Sequence, residues 1–105
     1  VVVAFVGEGR HRRVELSRDV GSGRRDSVEI RGESLIRLFK LVVDAKGEVL
    51  SWEEVERRWL SETGWKGHIS ANTLRAYGRR IKERLDLANL SKYWRYGTDC
   101  ISWKT

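Results

Sequence analysis

Proline and methionine are both missing from this 105-residue chain, and cysteine occurs once, at Cys100. With no second cysteine an internal disulfide cannot form, so packing alone must hold the fold, and a reducing cytosol is the expected compartment. Long apolar runs are missing too. The longest, Val1 to Val6, falls far short of the roughly 20 residues that span a bilayer. It also lacks the basic lead and cleavage pattern of a secretory signal. A start without methionine fits a domain cut from a longer protein. Histidine is scarce: His11 and His68 lie far apart, and one cysteine makes no familiar zinc spacing with them. Acidic residues are scarce in the last forty positions, with three against nine Lys/Arg from Lys66 to Thr105. From Val1 to Trp65 there are twelve of each, so the whole net charge of +6 belongs to the C-terminal part.

What is present suits one soluble domain with a single core. Apolar residues make up 40% and charged residues 34%, ordinary values for a globular chain of this size. Five tryptophans predict a core dominated by a few large side chains.

The first thirty residues read as a β-meander over 1–31. Val1 to Val6 is mostly β-branched, Gly7-Glu-Gly9 is a turn signal, and Val14 and Leu16 alternate with charged neighbours. Gly21-Ser-Gly23 makes a second turn before Val28 and Ile30 alternate with Glu29 and Arg31. Such alternation implies a sheet with one buried and one wet face. Arg12, Arg13, Arg18, Arg24 and Arg25 lie near the turns, offset by Glu15, Asp19 and Asp26, as on a solvated rim.

From Glu33 the period becomes helical, and three helices are expected over 33–86. Leu35, Leu38, Phe39 and Val42 follow i, i+3, i+4, i+7, with Ile36 and Val43 widening the stripe. Gly47 is placed to close that helix in a left-handed conformation, and Glu48-Val-Leu50 is an extended link. Ser51 and Glu54 form a capping box for a second helix with Trp52, Val55 and Trp59 as its apolar stripe. Residues 61–69, with two glycines and no period, read as a loop, and Ser70 caps the third helix. After a connection from Leu87 to Ser91, residues 92–104 read as a terminal β-hairpin around Gly97-Thr-Asp99.

The third helix carries the chemistry. At about 100° per residue, Leu74, Tyr77, Gly78, Ile81 and Leu85 share one arc. Opposite lie Asn72, Ala76, Arg79, Arg80 and Glu83, flanked by Arg75, Lys82, Thr73 and Arg84. In a major groove, small Ala76 permits close approach, Arg79 and Arg80 can each grip guanine with two bonds, and Asn72 can pair with adenine. Arg75, Lys82 and Arg84 suit phosphates, which position a protein without reading sequence. A merely solvated helix would more often mix signs for i,i+4 pairs; here five basic residues have Glu83 alone among them. A helix–loop–helix pair with a basic second helix and a trailing hairpin is the plan of a winged helix-turn-helix, an α+β fold.

The run from Leu35 to Val55, with Leu-Phe-x-Leu-Val-Val and Gly-Glu-Val-Leu-Ser-Trp-Glu-Glu-Val, resembles the first two helices of the OmpR/PhoB-type winged-helix effector domain. Trp59 stands where that family often closes its second helix, and Ser70 to Leu85 is similar to its recognition helix. The resemblance implies double-stranded DNA binding by a transcriptional regulator in the cytoplasm, as a homodimer on repeated half-sites. It implies base contacts for Thr73, Ala76 and Arg80. Asn72, Arg75, Tyr77, Arg79, Lys82 and Trp59 would meet phosphates or neighbouring bases, and Arg95 and Thr98 the minor groove. The 61–69 loop would face RNA polymerase. Two features depart from the family: Gly78 replaces an aliphatic residue, and Cys100-Ile-Ser-Trp103 replaces the usual Gly-Tyr-Arg.

Other constellations point away from catalysis. Gly7-Glu-Gly-Arg10 lacks the later glycine, lysine and hydroxyl of a P-loop. Glu53, Glu54 and Glu56 sit beside Arg57 and Arg58, as in surface ion pairs. A Cys100–histidine nucleophile requires the fold to join distant residues. No enzyme, metal or cofactor is expected. Tyr93, Trp94 and Tyr96 either stack on single-stranded bases or pack beneath the hairpin. The pattern also fits a winged helix that binds a protein, or nucleic acid by shape, within a larger assembly.

Overall fold

The computed structural model describes residues 1–63 and 69–105, and period-two alternation builds its N-terminal third. Strands β1 (Val2–Val6), β2 (Arg13–Asp19) and β3 (Arg25–Arg31) form an antiparallel meander in the order β1-β2-β3. Val14 lies opposite Ile30 and Leu16 opposite Val28, all four buried, so the sheet has one core face as the pattern requires. At the first turn Gly7 has φ +83°, and a Cβ there would lie 2.2 Å from the His11 carbonyl oxygen. Only glycine fits that corner.

Helix α1 (Glu33–Asp44) buries Ile36, Leu38, Phe39 and Val42 as its spacing predicts, and Leu41 besides, while Leu35 and Val43 of the expected stripe are half-buried. Lys46 at φ 53° and Gly47 at φ 87° turn the chain back. The end of the following link departs from expectation. Leu50–Ser51 is a strand, β4, which pairs with β6 (Cys100–Trp103) through Leu50 opposite Ile101. Because β6 also pairs with β5 (Trp94–Tyr96), the terminal hairpin belongs to a second three-stranded antiparallel sheet in the order β4-β6-β5. Lys92 and Tyr93, expected in the hairpin, instead lie in a single 3-10 turn, Ser91–Tyr93.

Helix α2 (Trp52–Thr63) starts where Ser51 Oγ accepts the Glu54 amide at 3.1 Å. The Glu54 carboxylate is taken by Arg57 and by Arg58, the latter at 2.8 Å. The helix runs through Thr63, two residues beyond the expected start of the 61–69 loop. Residues 64–68 of that loop lie outside the described residues, and so does its expected contact with RNA polymerase. Helix α3 (Ala71–Asp86) follows, with Ser70 Oγ accepting the Thr73 amide at 3.2 Å. The described residues thus form an α+β structure, three α-helices with two antiparallel sheets. No described helix is long and apolar enough to cross a membrane.

Aromatic rings join the layers. Phe39 stacks on Trp94 at 5.5 Å between centroids, Trp103 meets Phe39 edge-on at 5.3 Å, and Tyr93 meets Trp103 at 5.9 Å. Tyr93, Trp94 and Tyr96 therefore pack under the hairpin rather than offering free faces to bases. On the core side of the meander Arg18 reaches Asp26 at 3.4 Å, with its guanidinium beside Tyr93. The Arg18 guanidinium, aided by the nearby Lys92 charge, holds the Tyr93 phenol below its ordinary pKa despite the opposing effect of desolvation.

Gly78 faces this core in mid-helix. A Cβ there would lie 2.9 Å from Trp52 Cη2 and 3.1 Å from Tyr96 Cδ2. Trp94 Nε1 donates to the Gly78 carbonyl at 2.9 Å. The glycine is a notch that admits the aromatic rings.

Gly78→Ala is expected to lower stability in denaturant unfolding, by up to about 2 kcal/mol, because overpacking of roughly 1–3 kcal/mol opposes the ~1 kcal/mol gained in helix propensity. A more stable variant would show that Trp52 and Tyr96 give way freely. Arg18→Met is expected to move the Tyr93 titration upward, read as tyrosinate absorbance at alkaline pH; an unmoved titration would show that Arg18 does not hold the phenol down.

Candidate nucleic-acid interface

Helix α3 is divided as its periodicity predicts. Leu74, Gly78, Ile81 and Leu85 are buried, while Asn72, Ala76, Arg79, Arg80 and Glu83 are exposed. The buried face is pressed on by α1, α2, β3 and β5, so the outward face is held by packing on several sides. Its rigidity is that of the core.

The basic side chains then separate by what they touch. Arg80 is exposed, with no hydrogen bond or ion pair to any described residue. Arg79 is 74% exposed and meets Glu83 at 3.5 Å, and Lys82 meets Asp86 at the same distance. Such exposed pairs contribute only about 0–1 kcal/mol, so a stronger anion can displace them. Asp86 is kept below its ordinary pKa first by a hydrogen bond from Ser91 and then by Lys82. Arg75 does more than flank the helix. Its Nε donates to the Thr98 carbonyl at 3.0 Å and its Nη1 to Asn72 Oδ1 at 2.8 Å, tying the helix to the hairpin turn. Arg84 is exposed but engaged: Nε and Nη2 donate to the Glu29 carbonyl at 3.2 and 3.0 Å. It clamps the free edge of β3 to α3, a bond that the helical wheel, which suggested a phosphate clamp, does not show.

The remaining site residues fall into three groups. Ala76 is exposed and small, and leaves the outward face flat beside Arg80. Thr73 is half-buried, and its hydroxyl lies 3.0 Å from Ser70 Oγ. Tyr77 is half-buried with its ring 6.1 Å from that of Trp59. Trp59 itself retains 6% of its surface. Its indole packs beside the Tyr77 ring, so the expected contact with phosphate or base would have to be made through the small part left exposed. Arg95 and Thr98 are exposed on the hairpin. The bond between Arg75 and the Thr98 carbonyl brings the turn beside the start of α3.

Two indole bonds that the sequence does not announce place the hairpin. Trp52 Nε1 donates to the Gly97 carbonyl at 2.9 Å, and Trp94 Nε1 to Gly78 at 2.9 Å. Buried tryptophan N–H groups usually find an acceptor, but the two carbonyls chosen here are fixed only by the tertiary fold. His11 is exposed on a 3-10 turn, Cys100 is a free thiol in the hairpin, and His68 lies outside the described residues. Among the described residues no three His, Cys, Asp or Glu side chains gather as a metal site.

Thr98 has its carbonyl, and not its side chain, in the link to Arg75. Thr98→Ala is therefore expected to leave thermal stability within about 0.5 kcal/mol of the parent, while Arg75→Ala loosens the hairpin turn, seen as faster amide exchange at Gly97 and Thr98. Equal exchange in parent and Arg75→Ala would show that the arginine does not hold the turn. No family model matches the chain, no curated protein matches it, and no solved structure matches it.

Proposed function

We propose that the chain is a winged-helix domain that binds double-stranded DNA with α3 in the major groove, as the effector domain of a cytoplasmic transcriptional regulator. One observation carries the proposal: the outward face of a rigidly held helix combines Asn72, small Ala76, Arg79 and Arg80, the last without a partner among the described residues, with Glu83 the sole acid among them. A helix of about 10–12 Å diameter fits a major groove about 12 Å wide. The β4-β6-β5 sheet supplies the wing, and the Arg75 bond holds its turn next to α3. This arrangement supports the resemblance to OmpR/PhoB-type domains.

In this mode Arg80 and Arg79 face base edges, Ala76 permits close approach, and Asn72 and Thr73 lie near the helix start. Lys82 and Arg75 meet phosphates, Tyr77 approaches the backbone from its support on Trp59, and Arg95 reaches the minor groove with Thr98. A contact between the 61–69 region and RNA polymerase belongs to the same proposal. A protein-binding module in a larger assembly would use the same fold with a different partner, and the salt dependence separates the two.

Affinity for duplex DNA should fall steeply with salt, by roughly 10³–10⁵ between 50 and 200 mM if about 6–10 phosphates are contacted. Arg80→Ala is expected to cost about 1–3 kcal/mol on the preferred site and to relax sequence preference. Lys82→Ala should weaken all sequences alike and lower the salt slope by about 1. A flat salt profile, with neither variant changing affinity, would refute the proposal and favour a protein partner.

A further inference from the structure

The two edges of the meander are treated differently. At β3, Arg84 covers the edge by donating twice to the Glu29 carbonyl. At β1, no backbone bond leads from the outer edge to any other described segment, and the strand is Val-Val-Ala-Phe-Val throughout. Val2 keeps 55% of its surface and Phe5 45%. Folded proteins usually protect such an edge with lysine, proline, a bulge or a covering element, and β1 has none of these.

We propose that β1 pairs antiparallel with β1 of a second copy of this chain, joining two meanders into a six-stranded sheet. Charge and register both favour the second copy as occupant. A two-fold axis sets every residue against its symmetry mate, so a charged strand would oppose itself, whereas β1 carries no charged side chain. With Ala4 on the axis, Val2 lies opposite Val6 and Val3 opposite Phe5, placing small or β-branched side chains against each other and against one ring. The two Phe5 rings become diagonal neighbours about 7–8 Å apart, within reach for aromatic side chains. Gly7 ends the strand before Glu8, so that acid stays outside the pairing.

The neighbouring strands do not oppose the contact. On the wet face Ala4 pairs with Glu15 of β2. In the dimer the two Glu15 residues are three strand spacings apart, about 14 Å at ~4.8 Å each, which exceeds the screening length of about 8 Å at physiological salt. A five-residue pairing is a small interface, so the dimer is weak and depends on concentration. The dimer does not depend on the DNA-binding proposal, and its test uses no DNA.

Sedimentation across a concentration series should show reversible dimerisation. Ala4→Lys places two ammonium groups at the axis and should weaken dimerisation by roughly tenfold or more, while the monomer keeps its circular dichroism because the lysine can reach its own Glu15. In a Cys100→Ser background, Ala4→Cys should oxidise rapidly to a linked dimer, since paired Cα atoms about 4.5–5.5 Å apart suit a disulfide. Val2→Cys faces Val6 of the mate and should link far more slowly. A monomer at every concentration, or equal linking by the two cysteine variants, would overturn the proposal. It would then assign the β1 edge to some other strand.

Discussion

How close the C-terminal sheet comes to α3 is set at Gly78. There the helix has no side chain, Trp52 and Tyr96 occupy the space, and Trp94 bonds to the exposed carbonyl. The hairpin can lie beside the helix only because of this notch. Trp94 passes the constraint inward by stacking on Phe39, and Trp103 and Tyr93 carry it on towards Arg18 in the meander. A helix–glycine penalty of about 1 kcal/mol against alanine is thus offset by burial of large rings, each worth several kcal/mol on truncation to alanine.

The basic residues of α3 are not equivalent, although a helical wheel shows them as one band. Arg84 and Arg75 are bound to backbone carbonyls and act as braces between elements. Arg79 and Lys82 rest on nearby carboxylates. Among the described residues Arg80 has no such partner, so no internal bond need break to free it. A surface drawn only from charge would overstate how many cations are free to meet a polyanion.

Much of the architecture was legible in the sequence because it rests on local period. The alternation of Val14, Leu16, Val28 and Ile30 gives the meander, and the spacing of Leu74, Ile81 and Leu85 gives the buried arc of α3. Strand β4 was not legible, since two residues are too few to show a period and Leu50 pairs with Ile101, far along the chain. Gly78 reads in sequence as a helix defect because the rings that require it come from other elements. Trp59 shows both cases: its place in the Trp52–Val55–Trp59 stripe marks it as buried, while the family resemblance placed it at a ligand. The packing follows the stripe. Arg84 and Arg75 look free on any wheel because their carbonyl partners are set by tertiary structure alone.

The bond from Arg75 to Asn72 affects more than the position of the hairpin. An asparagine amide can present its oxygen or its nitrogen by a half-turn about one bond, and an unanchored one must choose at the moment of contact. Here the guanidinium fixes which end accepts, and the remaining lone pair and both N–H groups keep a set orientation. Rotational entropy that a free side chain would lose on docking has already been lost in the folded chain. Asn72 thus meets any hydrogen-bonding edge with its donor and acceptor order already decided.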